Sequence, residues 1–260
     1  PSLSASSIQP ITRRAIYRKD SHSPAPHRLP QRIVVASHPL NRVAFTPGCP
    51  SMSAPMYSRG QRSLEIGAMM LFLFLAAWSM VRLTIASSWH FPLVMFLTAP
   101  IGWLAVDLLS GLLHWIFDTF GSAKTPLIGQ AFIRPFRAHH ADPEEMTQHD
   151  FVETHGASCL AALPFLLITS LIPLAGWPLI IGQAVLLFIA LGALATNQCH
   201  KWAHMEETAT PRLVRWAQSR RLVLPGEHHQ LHHTAPFDTH FCISNGWLNA
   251  PLNKVLRTWR

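Results

Sequence analysis

The residues most able to do chemistry in this 260-residue chain are its histidines, sixteen of them against thirteen Asp and Glu together. Ten fall into four clusters: His114; His139, His140 and His149; His200 and His204; and His228, His229, His232 and His233. Four pairs stand four residues apart, His114/Asp118, His200/His204, His228/His232 and His229/His233. On a helix such residues share a face with Cβ atoms about 5–6 Å apart, close enough for two side chains to share a metal ion. Without a metal, so many imidazoles buried together would repel when charged and leave nitrogens unsatisfied when neutral. A lone histidine is better read as a solvated or core residue, and that is the expectation for His22, His27, His38 and His90. A structural zinc takes four ligands and a catalytic one usually three, so eight or more imidazoles overfill one site and suit two ions. Imidazole accepts zinc, copper, iron or nickel. A zinc peptidase would want HExxH, and Lys201 follows His200 instead.

What positions these residues is a greasy chain. Hydrophobic residues make up 49% and charged residues 13%, where a soluble domain carries about a quarter charged. Ile66–Ala86, Phe91–Leu113, Ala157–Pro173 and Trp177–Thr196 are almost wholly apolar, each near the ~20 residues that cross a hydrocarbon core of about 30 Å. Pro164 and Pro173 allow the third to kink or re-enter, which leaves three spans as the fallback. Apart from Arg82, every Lys and Arg lies before the first span, in 114–156 or in 197–260, and the connections 87–90 and 174–176 hold none. Four spans put those basic segments on one face, the cytoplasmic one by the positive-inside rule. The expected fold is an all-α integral membrane bundle of about four transmembrane helices with a cytosolic histidine-rich cap. A net charge of +8 with its cations spread along the chain gives no nucleic-acid footprint, so no nucleic-acid partner is expected. Four cysteines, Cys49, Cys159, Cys199 and Cys242, form no CxxC pair and no disulfide framework.

The start of the chain differs. Residues 1–51 hold eight prolines, eight serines and seven Lys or Arg but one acid, Asp20. Such an acid-poor, Ser- and Arg-rich stretch is similar to a transit peptide. The preferred expectation is a disordered basic extension over 1–60 without a role in the chemistry, Met52 or Met56 being a natural start, followed by a membrane domain over 61–260.

Asp107-Leu-Leu-Ser-Gly-Leu-Leu-His114-Trp, Phe132-Ile-Arg-Pro-Phe-Arg-Ala-His139-His140, Thr147-Gln-His149-Asp150-Phe151, Thr196-Asn-Gln-Cys-His200-Lys-Trp-Ala-His204, His228-His229-Gln-Leu-His232-His233 and Phe241-Cys-Ile-Ser-Asn-Gly-Trp247-Leu-Asn249 closely resemble the plasmanylethanolamine desaturases over about residues 103–260. A plant plastid family that desaturates phosphatidylglycerol acyl chains shares the histidine boxes and is less similar around Arg134 and His149. The resemblance implies an oxidoreductase with two non-haem irons and O2 as co-substrate. Its reaction would be 1,2-desaturation of the sn-1 alkyl ether of an ethanolamine phospholipid to the vinyl ether of a plasmalogen. It implies His200 and His204 as one box, His229, His232 and His233 as another, and His114, His139, His140 and His149 as further metal ligands. His228 joins the catalytic set, and Asp118 would be a ligand or an orienting carboxylate. With no GxGxxG cofactor fold in the chain, electrons would come from a donor such as cytochrome b5 or a ferredoxin. The boxes would face the cytoplasm from a bacterial inner membrane or the endoplasmic reticulum. Three positions depart from the family pattern: His155 for Asn, Phe237 for His, and His240 for an aromatic.

For the inert alkyl C–H bond that the resemblance implies, iron with open positions would be a fitting cofactor, held by neutral imidazoles whose tautomers nearby carboxylates set. Asp118, Asp150 and Glu153 are available for that work, and Trp115 and Trp202 are expected as interfacial belt residues. An acyl-lipid desaturase or hydroxylase on the same scaffold is the alternative. A metal transporter would want polar residues at the membrane midplane, where Asp107 stands alone.

Overall fold

The computed structural model describes residues 58–258 apart from Leu127. Most of the expected 1–60 extension therefore lies outside the described residues. Its last two residues, Arg59 and Gly60, already belong to the first helix, whose N-cap Ser58 accepts from the Gln61 amide.

Every regular element among the described residues is helical. Four long helices, α1 (Arg59–Ser87), α2 (Phe91–Thr119), α4 (Phe151–Leu171) and α5 (Trp177–His204), carry four short ones, α3 (Arg134–Ala141), α6 (Arg212–Ser219), α7 (Gly226–Gln230) and α8 (Asn249–Arg257). Three apolar helical runs are long enough to cross a membrane: Arg59–Thr119, Phe151–Leu171 and Trp177–His204. The first doubles back at the short turn Ser88–His90, where Ser88 takes a φ of 51°. Arg62 at the start of α1 pairs with Asp150 at 2.8 Å, at the start of α4. His90 instead stacks edge-on against Trp177, the first residue of α5. The run thus leaves the Asp150 end, turns beside Trp177, and returns through α2, so the bundle makes four passes.

The packing is that of a protein dissolved in lipid. Phe74, Ile85 and Phe96 are 66%, 76% and 76% exposed, whereas Glu65, Ser79, Thr98, Asp107, Thr169 and Gln183 are buried. Hydrocarbon solvates the outer residues as well as a core would, so the helices associate through small residues and internal polar contacts. Gly102 and Gly192 let α2 and α5 meet, since a Cβ at either would lie 2.3 Å from Phe188 Cβ or 2.7 Å from Val106 Cγ1. Ser79 and Thr169 hydroxyls join α1 to α4 at 2.6 Å, and Arg82 donates to the Thr169 and Ile172 carbonyls.

The helices outrun their apolar stretches at one end only. α2 continues six residues past Leu113 and α5 eight past Thr196. These extra turns carry His114, Asp118, His200 and His204 beyond the hydrocarbon-facing part of the bundle.

Candidate metal centre

The projecting turns meet α3, α7 and the C-terminal segment, and nine side chains converge there in two groups. His139, His200, His204, His229 and His233 form one, and His114, Asp118, His140 and His232 the other, each with its candidate ligand atoms within 4.8 Å of one another. In the first, His200 Nε2 lies 2.8 Å from His229 Nε2 and 3.2 Å from His204 Nε2, while His233 Nε2 lies 3.1 Å from His229 Nε2. In the second, Asp118 Oδ2 lies 3.3, 3.0 and 3.5 Å from the Nε2 atoms of His114, His140 and His232.

These spacings are what ligands of one ion show. Bonds of about 2.1 Å in octahedral or tetrahedral array put neighbouring donors roughly 3.0–3.4 Å apart. Hydrogen bonding among the imidazoles alone does not account for the first group. Each Nε2 carries either one proton or one lone pair, yet those of His200 and His229 each face two other nitrogens. His139 Nε2 is buried with no hydrogen-bond partner at all. A cation in each group would give these nitrogens a common partner.

Backbone carbonyls aim two of the rings. His114 Nδ1 lies 3.1 Å from the Phe241 carbonyl and His232 Nδ1 2.8 Å from the Thr239 carbonyl. A ring nitrogen beside a carbonyl oxygen must be the donor, which fixes the tautomer and leaves the Nε2 lone pair for a metal. Burial pushes the imidazoles of His139, His229 and His233 well below their ordinary pKa, with neighbouring imidazoles adding to the shift. All three are therefore neutral at pH 7, as metal ligands have to be.

Each short element has a reason to be where it is. Arg137 on α3 donates to the Phe117 and Phe120 carbonyls at the end of α2, both at 3.2 Å, closing that helix and docking α3 onto it. Asp107, fully buried in α2, accepts the amides of Ser244, Asn245 and Gly246 on Oδ1 at 3.0–3.2 Å and that of Leu248 on Oδ2 at 3.2 Å. That carboxylate anchors the segment whose Phe241 carbonyl holds His114. Trp115 packs with Leu112 and Leu248 against Phe241, Cys242, Leu252 and Leu256, a second small core rather than an interfacial belt.

Two residues expected among the site lie outside both groups. His149 follows the short turn Glu145–Gln148, half-buried, with its carbonyl accepting from Lys201 Nζ at 2.6 Å. His228, four residues before His232, belongs to neither group. Its Nε2 sits 3.1 Å from Asn249 Nδ2, and burial and the neighbouring Arg221 guanidinium lower its pKa. Asp150 and Glu153 are not orienting carboxylates for the rings. They form the capping box of α4, with Asp150 also paired to Arg62. His155 is buried and its Nδ1 lies 3.0 Å from the Leu194 carbonyl, the satisfied core role of a single histidine. Asp107 and Arg137 are the positioning residues that motif reading passes over. The one available signal was a lone carboxylate inside an apolar span.

Two buried sets of convergent imidazoles at one end of a four-pass bundle, each able to hold a metal ion, give the arrangement of a membrane protein of the histidine-box class. The chain belongs to the lipid desaturase family, whose domain model matches residues 103–260 and so takes in every residue of both groups. It is 40% identical over 202 residues to the plasmanylethanolamine desaturase of Myxococcus xanthus, a match covering 76% of this chain and 70% of that one. With plasmanylethanolamine desaturase 1 of Mus musculus the identity is 41% over 218 residues, 80% of this chain and 78% of that one. Fatty acid desaturase 4, chloroplastic, of Arabidopsis thaliana is 30% identical over 166 residues, 64% of this chain and 50% of that one. No solved structure matches. The chain is thus a desaturase acting on membrane lipid.

Proposed function

We propose that this protein is a plasmanylethanolamine desaturase, converting the sn-1 alkyl ether of an ethanolamine phospholipid to the vinyl ether. The observation that carries the reading is the pairing of two complete ligand groups with 40% and 41% identity to two proteins of that name, against 30% to the plastid desaturase. The reaction removes one hydrogen from C1 of the sn-1 alkyl chain, the carbon bonded to the ether oxygen, and one from the neighbouring C2. O2 accepts four electrons, two from the chain and two from an external donor, and with two further protons leaves as two waters. A donor such as cytochrome b5 or a ferredoxin fits, and the basic histidine-bearing end is read as cytoplasmic.

Iron in both groups would supply the oxygen activation that an unactivated C–H bond demands. The chain's own residues do the rest. His200, His204, His229, His233 and His139 offer five ring nitrogens, and His114, His140 and His232 offer three more with the Asp118 carboxylate. The Phe241 and Thr239 carbonyls keep His114 and His232 in the ligating tautomer. Asp107, with all four of its contacts made to backbone amides, is a structural anchor, which leaves a transporter without its midplane ion site.

Expression in cells that lack vinyl-ether lipids, with an alkyl-ether precursor supplied, tests the reading. The expected product is acid-labile vinyl ether in the ethanolamine fraction, and about two irons per purified chain. Double bonds confined to acyl chains would overturn the substrate assignment, and one zinc without iron would overturn the metal.

A further inference from the structure

Beside the metal centre, and outside both ligand groups, lies a cleft of about 320 Å³ walled by Arg221, His228, His240, Asn245, Gly246 and Trp247, among other residues. Asn245 is 1% exposed. Its Oδ1 accepts the Trp247 amide at 2.9 Å, which turns the side-chain NH2 the other way, and that Nδ2 is buried without a hydrogen-bond partner. A buried donor left unmet in the wall of a cavity calls for an acceptor from outside. Arg221 supplies the charge. It is exposed, and its backbone is held by Trp247 Nε1, which donates to its carbonyl at 2.6 Å. Arg221 adopts a φ of 54°, a left-handed conformation seldom kept by a residue this large. No acidic side chain lines the cleft, so the occupant it suits is an anion rich in acceptor oxygens.

The surroundings say where that anion comes from. Leu222 and Trp247 are 44% and 51% exposed, and Trp103 of α2 donates its indole N–H to the Leu222 carbonyl at 3.3 Å. Arginine beside exposed Trp and Leu, against a membrane-crossing helix, lays its aliphatic stem on apolar surface and leaves the guanidinium to pair with an anion carried by lipid. Reach agrees. In an ether phospholipid six bonds separate phosphorus from the first alkyl carbon, roughly 8 Å when extended. His228 in the cleft wall and His229 in the five-histidine group are consecutive residues, with Cα atoms about 3.8 Å apart.

We propose that this cleft receives the phosphodiester of the phospholipid substrate, with the Arg221 guanidinium and Asn245 Nδ2 as its donors. It thereby sets which carbons of the sn-1 chain reach the metal centre. The proposal rests on the ether-lipid reading for the substrate but not for the anion.

The full chain in detergent, bound to phosphatidylethanolamine or to diacylglycerol of matched chains and read by native mass spectrometry, tests it. Asn245→Asp keeps the acceptor for the Trp247 amide and replaces the donor by a carboxylate oxygen. Arg221→Gln removes the charge and Arg221→Lys keeps it. Wild type is expected to retain the phospholipid over the diacylglycerol. Asn245→Asp and Arg221→Gln should each lower phospholipid retention about ten-fold, the scale of one charge-assisted contact, with diacylglycerol retention and bound iron unchanged. Arg221→Lys should recover part of the loss. In turnover the two variants should raise KM and spare kcat. Equal retention by variants and wild type would overturn the proposal, as would an equal loss of both lipids or binding of inorganic phosphate with no phospholipid preference. Retention of phosphatidylglycerol with the same dependence on Arg221, together with no vinyl-ether product, would support the cleft and remove the ethanolamine ether-lipid reading alone.

Discussion

Asp107→Asn is the most informative single change, because it alters one charge and almost no volume. The carboxylate takes three backbone amides on one oxygen and a fourth on the other. An asparagine that keeps its oxygen toward Ser244, Asn245 and Gly246 must present its NH2 to the Leu248 amide, donor against donor. Hydrogen bonds to an ionised acceptor are worth about 1.5–3 kcal/mol and neutral ones about 0.5–1.5, so the three contacts that survive in weakened form cost roughly 4 kcal/mol. The unsatisfied Leu248 amide adds about 1–3 kcal/mol. Against this, the native state no longer buries a charge, a relief of several kcal/mol. A net destabilisation of about 3 kcal/mol remains, or roughly 10 °C in the melting temperature of a domain this size. The metal should feel it unevenly. The anchored segment ends at Phe241, whose carbonyl fixes His114, a ligand of the Asp118 group only. Loss of such an orienting partner costs about 10–100-fold in metal affinity. Purified Asp107→Asn is therefore expected to hold one iron firmly and shed the second to a mild chelator, with the lower melting point seen by tryptophan fluorescence. Two irons retained alongside an unchanged melt would refute the anchoring argument.

His200→Ala or His233→Ala should leave inserted, normally abundant protein with vinyl-ether formation abolished and iron reduced, because alanine keeps the helix while a ligand is lost. His155→Asn, distant in role, should keep activity largely intact, and the reverse outcome for these three variants would show the ligand assignment to be wrong. Iron retention should depend on pH with a definite sign. His139, His229 and His233 have folded pKa values held below the ordinary 6.5, so the opened state takes up more protons below that value. The closed cluster is unaffected above about pH 6.5 and destabilised progressively as pH falls below it, and chelator stripping should accelerate between pH 7.5 and 5.5. Slower stripping on acidification would contradict the burial argument. A chain starting at Met52 should insert and desaturate as the full chain does, which lipid analysis of complemented cells would check.

Much of this architecture can be read from residue types, and the parts that cannot are the non-local ones. The apolar runs locate the four passes because hydropathy measures what lipid will tolerate. It says nothing about how far a helix continues into water, so α2 and α5 run on past Leu113 and Thr196 unannounced. The i,i+4 spacing pairs His114 with Asp118, His200 with His204, and His229 with His233. The same rule applied to His228 and His232 fails, since His228 meets Asn249 and His240 and only His232 joins a ligand group. His149 belongs to a motif by sequence but stands outside both groups, since spacing along a loop carries no direction. The Phe241 and Thr239 carbonyls leave no trace in side-chain identity. Asp107 announces itself as a charge in an apolar span, yet its partners lie 137–141 residues onward and are backbone amides that any residue would supply.

The consecutive histidines have a mechanical meaning. His139 serves one ligand group and His140 the other, and the same division separates His233 from His232. The gap between the two metal positions is thus spanned twice by single peptide units, which do not stretch and hold successive Cα atoms about 3.8 Å apart. Breathing of the bundle, or the swelling needed to admit a lipid chain, would carry both positions along together. A one-residue slip in α3 would instead rotate His139 and His140 by about 100° and disturb both groups at once. Insertions should be tolerated in the connections between these elements and nowhere within them.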